Sequence, residues 1–354
     1  MTKNQHYVPR LLLRNFAHDE RVDVYDLVRE ECRLNQHING VCSENYLYDH
    51  DNLIENFLAT KIEGPAAAEL KKLETRNFDL RRPSTEWLTF LLAQLMRTPE
   101  AFDKTESFMQ SAMNNIISSI YSVNNWEGRQ CHFQLDGPGA EQAVLSSQVV
   151  RSPLQVPLIS DLAACILQND TSDEFIISDH PVFHSNWYLK DADDPRVAGI
   201  ATKGVQFFLP ISPTLTYCLY DAKVYAYRGR SGHGVISVTK DDVAKLNHYQ
   251  VANARAFIVA RPGAMQTKFT SLVAAKNSMK SSSVTTENST PYYVDGELRQ
   301  MYMTYVRLPS TSSMPTFIRI KKKIGRQDVK VGYRNDELCL EHEKWMQSLK
   351  SRDH

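Results

Sequence analysis

The spacing of apolar residues changes along this chain, and that change limits the folds open to it. Over the first third they recur at helical spacing: Ile54, Leu58 and Ile62 stand four apart, and Trp87, Leu88, Leu91, Leu92, Leu95 and Met96 make one broad apolar face. After about residue 150 the rhythm becomes strand-like, at 174–178, 205–211, 215–220, 224–227 and 256–260. Helical stripes and strand faces each need a partner surface, so the two patterns predict an α+β protein. A mainly helical N-terminal part, over 1–135, is expected to pack on a mixed or antiparallel sheet in the C-terminal part, with a strand-rich part over 140–265.

Local signals fill in this outline. Val22–Tyr25 alternates and predicts a strand, and residues 36–50 read as a polar, irregular connection. Asn52 can cap a helix that Gly64-Pro65 breaks or restarts, and Ser84 and Thr85 cap the next. A weaker helical signal runs from Ala140 to about Val150. A helix over Asp241–Arg255 follows a cap at Thr239 or Lys240. Residues 276–290 carry few large apolar groups to offset their ordering entropy, so a flexible, exposed linker is expected there. The remainder, 291–354, predicts strands over Met301–Leu308 and Phe317–Ile324 and a polar helix from about Asn335.

Charge is balanced, with 41 basic and 41 acidic residues, so nothing draws the whole molecule to nucleic acid. One candidate basic patch stands on the C-terminal strand, where Arg319, Lys321 and Lys323 share one face and Lys322, Arg326 and Lys330 lie nearby. It could contact nucleic acid, or could simply protect a strand edge with lysines. No apolar run approaches the roughly 18 residues of a membrane helix, so no membrane contact is expected. The six cysteines lack paired metal-ligand spacing and read as reduced thiols of a cytoplasmic protein. No Walker or Rossmann glycine pattern calls for a nucleotide cofactor.

The polar groups best suited to chemistry stand at the start. Gln5, His6 and Tyr7 precede Pro9, a residue favoured at the first helical position, and Leu12, Leu13 and Phe16 then share a helix face. Histidine near neutrality can act as base, acid or ligand, or it can merely cap the helix. Glu55 and Glu63 lie about 12 Å apart along an unbroken helix at 1.5 Å per residue, far enough to line one groove. Gln94 and Arg97 share a helix face among apolar neighbours. Arg97 would pair naturally with Glu55 or Glu63, as a structural ion pair or as a clamp for an anion. Asp179 ends an apolar strand before Pro181, where it can orient a site or only make a turn. Asn247 and Asn253, six apart, are not expected on one helix face.

The run Gln5-His6-Tyr7-Val8-Pro9-Arg10 through Leu13-Arg14-Asn15-Phe16 resembles the opening signature of the prokaryotic domain of unknown function 4238 family. Glu55 and Glu63, Gln94-Leu95-Met96-Arg97-Thr98-Pro99, Phe175–Pro181 and Leu209-Pro210-Ile211-Ser212-Pro213 resemble its further motifs, in order, from residue 4 to about 260. The resemblance implies no activity. It does single out the same polar positions. It adds Asn253 as a residue that could hydrogen-bond a ligand or the Pro210 loop. It also points to Asp179 rather than His180, where the family often carries Asn.

Two functions are open. In the first, His6, Glu55, Glu63 and Asp179 are catalytic, Tyr7, Gln94, Arg97 and Asn253 bind substrate, and His6, Glu63 and Asp179 hold a divalent metal, Mg or Mn, that activates water. The natural reaction is phosphodiester hydrolysis, by a nuclease-like effector of a prokaryotic defence system with protein partners of that system. In the second, the same polar set is a buried network or a small-ligand pocket of a non-catalytic sensor or interaction module.

Overall fold

Pro9 turns the chain from strand to helix. In the computed structural model it is the N-cap of helix α1 (Arg10–Phe16), in extended backbone, one position earlier than a first helical residue. The structure describes residues 3–75, 83–123, 139–192, 194–228, 234–264, 283–288, 292–294, 297–299, 302–308, 313–322, 324 and 331–350. Before Pro9 runs strand β1 (Asn4–His6). After α1, strands β2 (Arg21–Asp26) and β3 (Glu31–His37) make an antiparallel hairpin, and β4 (Ser43–Asn45) returns to pair with β1. The connection over 36–50 is thus partly regular.

Helical character in the first third is concentrated between residues 53 and 123. Helix α2 (Leu53–Phe57) passes into a π-helical stretch at Leu58–Glu63 and then into α3 (Gly64–Glu74). Ser84 accepts the Trp87 N–H and caps α4 (Thr85–Met96), and Thr98 and Pro99 open α5 (Pro99–Val123). Helix α6 (Ala140–Arg151) follows.

The next strands are β5 (Ala163–Asn169), β6 (Ile177–Ser178), β7 (Phe183–Ser185), β8 (Gln206–Ser212), β9 (Leu215–Tyr220), β10 (Tyr225–Tyr227) and β11 (Val235–Val238). Helix α7 (Lys240–Asn253) starts with a reciprocal capping box between Thr239 and Asp242, and β12 (Phe257–Ala260) completes the set. One sheet has the order β11-β5-β9-β8-β7, with only β11–β5 parallel. The other has the order β3-β2-β12-β6, with every pair antiparallel. The protein is therefore α+β with a mixed and an antiparallel sheet, and β2 and β12 join residues 21–26 to residues 257–260.

The five-stranded sheet is covered on both faces, which is why β9 and nearly all of β8 are buried and read as continuous apolar runs. On one face Trp87 of α4 meets Tyr217 edge-on at 5.4 Å. On the other, Phe183 stacks on both Phe208 and Tyr249 at 5.0 Å, binding α7 to the sheet. No helix among the described residues is long and apolar enough to cross a membrane.

Toward the C-terminus, β13 (Ser283–Asn288) pairs with β16 (Tyr302–Arg307), β14 (Tyr292–Val294) with β15 (Glu297–Arg299), and β17 (Ile318–Ile320) with β10; α8 (Asp336–Lys350) follows. The linker expected over 276–290 is corrected in part. Residues 283–288, with β-branched Val284, Thr285 and Thr286, are a strand, whereas 276–282 and 289–290 lie outside the described residues. Arg319 is exposed on β17, while Lys321 follows it and donates to the Ala222 carbonyl. Lys323, Arg326 and Lys330 lie outside the described residues.

Candidate functional site

The chain turns sharply between α4 and α5, and Arg97 sits at that turn with almost no exposed surface. A buried guanidinium must be paired and hydrogen-bonded. Its Nη2 donates to the His6 carbonyl at 2.7 Å, its Nε to the Tyr7 carbonyl at 3.0 Å, and its Nη1 to Glu63 at 2.7 Å. Gln94 Nε2 adds a 2.8 Å bond to the same Tyr7 carbonyl, and the Tyr48 hydroxyl donates to the Arg97 carbonyl. Gln5 is fully buried and bonds Asp49 and the Tyr48 N–H. The N-terminal signature is thus held to α4 mainly through its backbone. Arg97 pairs with Glu63, one of the two partners the sequence offers it.

His6 and Glu55 lie at the edge of this latch. The His6 ring contacts the Ile38 carbonyl through Nε2 at 3.2 Å, and burial lowers its pKa. Tyr7 is buried, and desolvation raises its phenol well above the ordinary range. The Glu55 carboxylate makes no hydrogen bond to another described residue. Burial pushes its pKa up to about 7, against the pull of Arg97. The π-helical stretch between the two glutamates widens the helical turn, so the straight α-helical spacing expected from the sequence does not apply.

Asp179 points elsewhere. Its Oδ1 accepts the Arg255 N–H at 2.9 Å, and its Oδ2 accepts those of Ala256 at 2.7 Å and Phe257 at 2.9 Å. Burial raises its pKa to about 6 while the three N–H groups oppose that shift. The carboxylate therefore fixes the entry to β12. Three amides on α7 hold the preceding segment. Asn247 bonds the main chain of Ile176 and Glu174, Gln250 that of Ser178 and Pro181, and Asn253 the carbonyls of His180 and Val182. Asn247 and Asn253 thus serve one extended segment, since steps of three keep long side chains on neighbouring rows of a helix. Asn253 reaches that segment rather than the Pro210 loop.

Of the set expected as metal ligands, His6, Glu63 and Asp179, both carboxylates have other partners. The Glu63 carboxylate is engaged by Arg97, and both Asp179 oxygens are taken by backbone N–H groups. Among the described residues, no group of three or more His, Cys, Asp or Glu is placed to hold a metal ion. The structure brings His6, Tyr7, Glu63, Gln94 and Arg97 into direct contact, with Glu55 beside them. Asp179 is committed to the main chain entering β12, while Asn253 holds the carbonyls of His180 and Val182 with its Nδ2 and also lines a cavity beside them.

On the far side of the α4–α5 turn lies a cavity of about 420 Å³. His180, Lys104, Gln148 and Arg151 supply polar lining, and Leu95 and Met96 an apolar wall. His180 is 3% exposed, and its Nδ1 meets Thr98 Oγ1 at 2.6 Å. Burial holds its pKa well below the usual value, so the ring is neutral. Lys104 bonds Glu100 at 3.2 Å and Asn253 Oδ1 at 3.4 Å, and burial lowers its pKa against the raising effect of Glu100. Little in the sequence marks out Lys104, Gln148 and Arg151. Their helices carry the ordinary surface pattern, and only the fold brings them to His180. The 247/250/253 spacing of amides was a readable signal for the ladder on α7.

No curated protein and no solved structure matches the chain. A family does match, over residues 4–264, the stretch that holds the latch, the amide ladder and the Asp179 turn. The chain belongs to the family described as Protein of unknown function (DUF4238).

Proposed function

We propose that this protein is a binding module of the non-catalytic sensor kind. The cavity beside His180 takes a small ligand, and the polar signature fixes the packing that shapes it. The supporting observation is the Arg97-Thr98 step. Arg97 is spent on the carbonyls of residues 6 and 7 and on Glu63, while its neighbour Thr98 positions His180 in the cavity wall. Catalytic groups must aim at a substrate, and most of these aim at their own main chain. A cavity of about 420 Å³ has the size of a small-molecule site.

One observation favours a second reading, a hydrolase of the nuclease-like phosphodiesterase type acting in a defence system. The Glu55 carboxylate has no hydrogen-bond partner among the described residues, and its pKa near 7 suits a general base. The two readings part in one assay. The purified chain is incubated with single-stranded DNA, duplex DNA and RNA, with Mg²⁺ or Mn²⁺ added. The binding-module reading expects no cleavage; cleavage by the wild type that disappears in Glu55→Gln establishes the hydrolase instead.

A further inference from the structure

We infer that the cavity beside His180 binds a small molecule by an oxyanion head, a phosphate or carboxylate group, with the molecule's apolar body against Leu95 and Met96. This inference rests on the binding-module reading and names the ligand class.

The hydrogen-bond pattern around Thr98 fixes what His180 offers. Thr98 Oγ1 accepts the Ala101 N–H at 3.3 Å, as the N-cap of α5. Among the described residues the one acceptor left for the hydroxyl proton is His180 Nδ1, at 2.6 Å. A neutral imidazole that accepts at Nδ1 carries its proton on Nε2. Nε2 has no partner among the described residues, although the side chain is almost wholly buried and lines the cavity. An N–H that faces a cavity can donate to a ligand oxygen placed there.

The charges agree with that donor. Lys104 and Arg151 line the cavity, and among the described residues no Asp or Glu does. Lys104 shares its charge with Glu100, which approaches along α5. The side chain of Arg151, at the last turn of α6, makes no ion pair or hydrogen bond among the described residues. Its planar fork matches carboxylate and phosphate oxygens. Gln148 Oε1 is buried without a partner and can accept a hydroxyl or N–H from the body of the ligand.

The test uses the full chain and four probes: phenyl phosphate, benzoate, inorganic phosphate and neutral benzyl alcohol. Calorimetric titration should detect phenyl phosphate or benzoate at millimolar concentration or below, and whichever binds tighter identifies the head group. Inorganic phosphate should bind more weakly than phenyl phosphate, and benzyl alcohol should not bind. Arg151→Ala, an exposed position, should leave the unfolding midpoint of the free protein unchanged and weaken the anion roughly tenfold or more. Arg151→Lys should recover part of the loss. In the wild type, the His180 Nε2–H resonance should move on titration. Absence of binding by both anions overturns the inference. So does unchanged affinity in Arg151→Ala, or binding of benzyl alcohol as tight as that of the anions. Release of phenol from phenyl phosphate would instead defeat the binding-module reading and leave the anion site standing.

Discussion

The Arg97 guanidinium donates to the main-chain carbonyl of His6 at 2.7 Å, so the signature histidine is held by its backbone while its ring turns to Ile38. One buried cation thereby fastens β1, α4 and the end of the π-helical stretch. Truncating such a group leaves its partners buried and unpaired, the costly case for an ion pair. Arg97→Gln should therefore lose about 3–5 kcal/mol of unfolding free energy in urea titrations. Glu63→Gln leaves that buried cation without its carboxylate and should also be destabilising, by less than Arg97→Gln because the amide oxygen can still accept from Nη1. An Arg97→Gln protein within about 1 kcal/mol of wild type would mean that the latch is not what holds the N-terminus.

Glu55 predicts a dependence on pH. Its carboxyl is raised in the folded protein from an ordinary value of 4.5 to about 7. Between those values the folded state binds more protons than the unfolded state, so stability falls as pH rises through that window. The cost is complete above pH 7 and absent below the unfolded value. Glu55→Gln should thus match wild type near pH 4.5 and exceed it at pH 8 by about 1 kcal/mol, after discounting for partial exposure. The difference in melting temperature between the two proteins, followed across pH, isolates this group from others that titrate nearby. A difference that shrinks toward pH 8 would contradict the assignment.

What could be read in advance follows a physical line. Signals confined to one element were legible: the cap at Thr239, the helix over α7, the strands β8 and β9, and the demand of Arg97 for an acid. Signals that depend on which atom a side chain faces were not. Asp179 before a proline has the same local sequence whether it binds a metal or three N–H groups 76 to 78 residues away. Leu58–Glu63 has ordinary helix-forming composition, and its π geometry arises where Gly64 lies close to the Ala59 carbonyl, 3.1 Å from the place a Cβ would take. The cavity needs α4, α5, α6 and the turn at His180 together, so no window of sequence contains it.

The role found for Asp179 is open to a direct check. Asn in its place keeps one acceptor oxygen and turns an NH₂ group toward N–H donors. Asp179→Asn should cost about 2–4 kcal/mol, one to two unsatisfied backbone groups in a buried site. Amide exchange should accelerate at residues 255–257 before it does so in β8 or β9. Full protection at those three amides, together with loss of a measurable activity, would return Asp179 to a catalytic role.

Thr98 joins the fold to the cavity, and its substitution separates two effects. The hydroxyl caps α5 and sets the His180 tautomer, with partners at 3.3 and 2.6 Å. Thr98→Val keeps the shape but removes both interactions. Losing the cap costs about 1 kcal/mol, and leaving His180 Nδ1 buried without a donor adds about 1–3 kcal/mol. Thr98→Ser retains the hydroxyl and should stay close to wild type, since serine caps at least as well. The diagnostic measurement is the imidazole nitrogen spectrum. Wild type and Thr98→Ser should show His180 with an unprotonated Nδ1 and a protonated Nε2, while Thr98→Val should show the proton redistributed between the two nitrogens. If Thr98→Val kept the wild-type tautomer, the hydroxyl would not be what presents the Nε2–H to the cavity.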